Sequence, residues 1–189
     1  MSAPHQPRIR FATVDDLYAA FPTAVVEIGE PAERQPSPVF VDACLRAEKW
    51  DCALTFLAYL LGKREAVWWG CTCLRQVKVD GATEEACLRA AEDWVRSPED
   101  QRRVHALDIG MQASQQRPAT WIALAAGWSS GNMSGDERFR IAPPPQLTAQ
   151  AVRAAILGAG TRIPLDQQAA LFRNWASTGL RYALDPQSA

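Results

Sequence analysis

Residues 63–79, KREAVWWGCTCLRQVKV, limit what the chain can fold into more than any other stretch. On an α-helix each residue turns about 100° from the last. Ala66, Val67, Gly70, Cys71, Cys73, Leu74 and Val77 then share one face, at the spacing of a helix that lies on a core. Arg64, Thr72, Arg75 and Gln76 fall opposite, and Trp69 sits at the edge of the apolar side. Trp68 points among the polar residues. An indole there needs a second covering helix, a partner, or partial exposure, and the phase alone leaves these open.

The same punctuation recurs along the chain. Thr13-Val-Asp-Asp16 has the pattern of a capping box before a short helix that Pro22 ends. Residues 24–28 read as a connector, and 29–38, with three prolines, as loop. Ser37-Pro38, Thr83, Ser97-Pro98 and Arg117-Pro118 each look like a helix start. Gly62 and the run Gly158-Ala159-Gly160 look like helix ends. Residues 1–8 and 185–189 are expected to be mobile and frayed. The expected fold is all-α, a single globular array of about seven or eight antiparallel helices with short connections. Residues 1–37 form a lead with one short helix. Residues 38–189 form the helical domain, interrupted by one long Gly/Pro-containing loop at 129–147.

Composition narrows the functional classes. Hydrophobic residues make up 48% and charged residues 22%, so there is material for a core and a solvated surface. A net charge of −1 provides no footprint for nucleic acid. No apolar run reaches the roughly 20 residues of a bilayer span, so membrane insertion is not expected. The first sixteen residues lack the apolar segment of a secretory signal, which points to a cytoplasmic protein. The five cysteines, at 44, 52, 71, 73 and 87, lie in apolar helical patterns and read as buried thiols.

No arrangement of residues points to catalysis. Cys71 and Cys73 are two apart and diverge around the helix, so they are poorly placed to share a metal ion. His105 stands three residues before Asp108, a spacing typical of a weak surface contact. Glu84-Glu85, Glu92-Asp93 and Arg102-Arg103 read as solvated faces. The expectation is a protein with no catalytic residues, no metal and no cofactor.

Three segments carry a resemblance. Residues 64–69 with Cys71 and Cys73, residues 118–133 with Trp121, Trp128, Gly131 and Met133, and Pro143-Pro144-Pro145-x-Leu147-Thr148 resemble an uncharacterised bacterial family often encoded beside type VI secretion genes. The insertion at 135–141 is longer than that family's pattern. The resemblance implies an accessory role in a bacterial cytoplasm and no known activity.

The function expected from the sequence is therefore a non-enzymatic adaptor for a protein partner, plausibly a secretion-system component. The candidate contact residues are Arg64, Glu65, Trp68, Trp128, Asn132 and Met133, because aromatic and Arg anchors dominate protein interfaces. Two alternatives stand beside it: a small-ligand binder or enzyme using the 129–135 loop, and a homo-oligomeric structural module.

Overall fold

The computed structural model describes residues 9–30, 34–134, 136 and 138–185. The expectations for residues 1–8 and for the tail after Asp185 lie outside them, as do Gly135 and Glu137 of the long loop.

Ten helices follow one another: α1 (Val14–Ala20), α2 (Ala24–Ile28), α3 (Ser37–Arg46), α4 (Trp50–Leu60), α5 (Lys63–Leu74), α6 (Gly81–Arg96), α7 (Asp100–Gln112), α8 (Pro118–Gly127), α9 (Leu147–Gly160) and α10 (Leu165–Leu184). Among the described residues there is no strand, only an isolated bridge between Thr13 and Pro36. The all-α array is as the periodicity predicts, with eight helices from α3 to α10, and the lead holds two helices where one is expected. One helix that was read as connector is α2. Its β-branched residues look extended, yet Ala24 and Ile28 are buried four apart, and α2 packs on α4. Tertiary burial overrides local propensity there.

Two helices are buried nearly all round, α8 and the stretch from Ala53 to Leu60 of α4. A helix without a polar face belongs inside the array. Accordingly α8 packs against α6, α7 and α9, while α4 meets α2, α3, α9 and α10. The lead helices share this core: the Phe21 ring stands edge-on to Tyr59 of α4, 5.3 Å between centroids.

The helix ends correct several expectations. The Thr13 capping box forms as predicted, with Thr13 and Asp16 exchanging side-chain-to-backbone bonds. Ser37 does not cap; its hydroxyl donates to the Phe11 carbonyl at 2.7 Å. Thr83 does not cap either, and the carboxylate of Glu84 instead accepts the Asp80 amide. The run Gly158–Gly160 does end α9, whose last residue is Gly160. A methyl group at Gly160 would stand 2.6 Å from the Phe172 ring, so close packing against α10 explains that glycine.

Candidate functional site

The alternating helices bring several predicted contact residues to one end of the array. There α5, α7 and α9 begin, and α6 and α8 end. Helix C-termini leave carbonyls without partners, and cations satisfy them well. Arg10 donates to the Leu61 carbonyl after α4 at 2.8 Å, and Arg64 to Val95 near the end of α6 at 2.7 Å. Lys63 donates to Ser129 at 2.7 Å, and Arg103 to Gly127 of α8 at 2.9 Å. Burial, and then the charge of Arg10, push the Lys63 amine below its ordinary range.

Arg103, expected on a solvated face, is buried instead. It is 4% exposed, also bonds Asp100 at 2.7 Å, and lies against Gly131, whose φ of 67° favours a residue without a side chain. Glu84 and Glu92 are buried too, bound to Arg162 and Arg75 respectively. In each charged pair one residue turns inward because neighbours diverge around the helix.

The six predicted contact residues fare differently. Trp68 is half-buried against the core on the outer strip of α5, which is partial exposure. Trp69, placed by phase at the edge, is fully buried, and its indole donates to the Trp175 carbonyl at 2.9 Å. Arg64 is exposed one turn before Trp68, and Glu65 is half-buried beside Gly62. Trp128 is half-buried, with its indole nitrogen shielded and without a hydrogen-bond partner among the described residues. Asn132 serves the loop itself. Its carbonyl oxygen accepts from Ser134 and from the Ile141 amide at 2.9 Å, and its amide donates to Asp136 at 2.9 Å. Met133 joins the same brace through its amide, which donates to the Ile141 carbonyl at 2.9 Å. The side chains of Asn132 and Ser134 are thus spent inside the loop.

The thiols divide into two sets. Cys71, Cys73 and Cys87 are buried, and burial pushes all three above the ordinary thiol range. Cys44 and Cys52 touch, sulfur to sulfur at 3.1 Å, and Cys52 is only half-buried. They line a cleft of about 460 Å³ together with Ile28, Gly29, Glu30 and Phe40. His105 and Asp108 both lie exposed on α7. Among the described residues, no group of three or more His, Cys, Asp or Glu side chains is arranged to hold a metal ion.

A family model described as a family of unknown function, DUF6931, matches residues 40–183. The chain belongs to that family. The match runs from within α3 nearly to the end of α10 and takes in all three segments of the sequence resemblance. No curated protein and no solved structure gives a significant match.

The DUF6931 region also holds apolar surface that the sequence reading passed over. Phe139 is 65% exposed and Ile141 53% exposed, on the loop that Asn132 braces. The sequence signal is two large apolar residues separated by an arginine between charged and proline-rich stretches, a pattern that a long loop also carries.

Proposed function

We propose that this DUF6931 protein is a non-enzymatic interaction module, an adaptor or accessory protein that docks a protein partner. The observation that carries this reading is the 129–147 loop. It is held from within by Asn132 and Ser134 and tied to α7 by Arg103, yet it turns Phe139 and Ile141 to solvent beside Met133. An ordered loop that keeps two large apolar side chains exposed suits a surface that another protein covers. Trp68, with Arg64 one turn away, offers a second anchor of the type that interfaces favour. The setting, a bacterial cytoplasm and in particular a type VI secretion assembly, rests on the resemblance of residues 64–73, 118–133 and 143–148 alone.

The test is affinity capture from a bacterial host of this family, with proteins identified by mass spectrometry. Wild-type protein should retain a defined assembly component. The double variant Phe139→Ser/Ile141→Ser should lose it while keeping its helical circular dichroism, and Trp68→Ala should weaken it. Retention of the same component by the double variant would overturn the docking role of the loop. A stable homodimer that retains nothing else would favour the structural-module alternative.

A further inference from the structure

Cys44 and Cys52 lie eight residues apart on different helices, and one local motif brings them together. After α3 the chain turns through Glu48, which has a φ of 55°. The Lys49 amide bonds the Cys44 carbonyl at 2.9 Å, and the Glu48 amide bonds that of Leu45 at 3.3 Å. These two bonds, around a left-handed residue, make a Schellman ending. The Lys49 carbonyl then accepts from Ala53 at 3.1 Å, so α4 starts at once. Cys44 in the last turn of α3 and Cys52 in the first turn of α4 are thereby aimed at each other across the corner. Both cysteines line the cleft between α2, α3 and α4. The remaining three thiols are buried and line none of it.

We propose that Cys44 and Cys52 form a reversible dithiol–disulfide site, oxidised by a hydroperoxide that enters this cleft. Cys44 is the attacking sulfur. Its hydrogen bond with Cys52 lowers its pKa and outweighs its burial, while Lys49 lowers it and Asp51 raises it by smaller effects. The proton of Cys44 goes to solvent, and its thiolate attacks one peroxide oxygen. The O–O bond breaks, Cys44 becomes a sulfenic acid, and the leaving oxygen takes a proton to become water or an alcohol. The sulfur of Cys52 then attacks that of Cys44. The S–O bond breaks, and the departing hydroxide leaves as water with the Cys52 proton. Two thiols are oxidised to one disulfide and one hydroperoxide is reduced, with two electrons transferred. The sulfurs must close from 3.1 Å to the roughly 2.05 Å of a disulfide, a small movement at a helix corner. An external dithiol reverses the change.

The experiment treats the full-length protein with hydrogen peroxide, blocks free thiols, and digests it with trypsin without reduction. Cleavage after Arg34, Arg46, Lys49 and Lys63 places the two cysteines in separate peptides, residues 35–46 and 50–63. The expected product is these two peptides joined, minus two hydrogens, and separated again by dithiothreitol. Cys71, Cys73 and Cys87 should carry the blocking reagent only when the protein is unfolded before blocking. In Cys52→Ser, dimedone should trap a sulfenic acid on Cys44. Absence of the joined peptides under excess peroxide, or joining that scrambles with Cys71, Cys73 or Cys87, overturns the site. A dimedone adduct on Cys52 in Cys44→Ser, with none on Cys44 in Cys52→Ser, overturns the role given to Cys44.

Discussion

Two pairs of thiols in this protein make an instructive contrast. Cys71 and Cys73 are neighbours in sequence, on the inward side of α5, and burial keeps both in the thiol form. Cys44 and Cys52 are separated by a helix ending and a new helix start, yet they meet at 3.1 Å beside a cleft. Proximity along the chain gave the first pair no shared chemistry, because positions two apart on a helix diverge around its axis. Distance along the chain did not keep the second pair apart, because a tight corner folds one helix end onto the next start. What distinguishes the pairs is access and direction, and both belong to packing.

The largest expected effect comes from opening the buried side. Trp69 is fully enclosed, and α10 approaches it so closely at Gly179 that an added methyl group would lie 2.9 Å from the ring. Trp69→Ala should cost about 3–5 kcal/mol in urea unfolding. The half-buried Trp50 near the other pair should cost less than half of that. Similar losses at the two sites would break the contrast between a packed interior and an open corner.

Acid opens the interior by another route. Burial raises the carboxyl pKa of Glu84, but its bonds to Arg162 and to the Asp80 amide outweigh this and leave it lowered. A group with a lowered folded pKa contributes stability in full above its unfolded value. That contribution is lost as pH falls through the folded value. Glu84→Gln should therefore cost about 2–3 kcal/mol near pH 7. The wild-type and variant stability curves should converge as the pH falls below about 4. Parallel curves down to low pH would remove Glu84 from the forces that hold the start of α6 to the end of α9.

A smaller effect separates the pairs directly. With a thiol reagent under native conditions, Cys71 and Cys73 should react roughly 100-fold or more slowly than the Cys44–Cys52 pair, since reaching them requires opening part of the core. Equal rates would show that the interior opens as readily as the cleft. The smallest effect is at the corner itself. Glu48 holds a left-handed conformation that glycine adopts freely, so Glu48→Gly should stabilise the protein by about 0.5–1 kcal/mol, read as a small rise in Tm. A loss of stability instead would mean that the Glu48 side chain contributes more than its backbone strain costs.

Much of the architecture was legible because it is local. The face of α5 that is buried is the one its 3/4/7 spacing predicts, and Thr13 and Asp16 announce the start of α1. The candidate site was legible only in part. Arg64 and Trp68 are on the outer side of α5 as their phase requires, but Asn132 turned out to brace its own loop. Phe139 and Ile141 looked like ordinary loop residues, since exposure of an apolar side chain is not written in its neighbours. Gly160 ends α9 as its sequence suggests, but only the packing of α10 shows that a side chain there would run into Phe172.

The sequence alone determined the helical class, most helix positions and the inward face of each long helix, because these follow from periodicity and backbone chemistry within a few residues. Tertiary structure alone decided which charged residues are buried, which glycines separate helices, which thiols meet, and which loop side chains face solvent. Each of those depends on what another element places opposite, and a linear pattern carries no record of that distance.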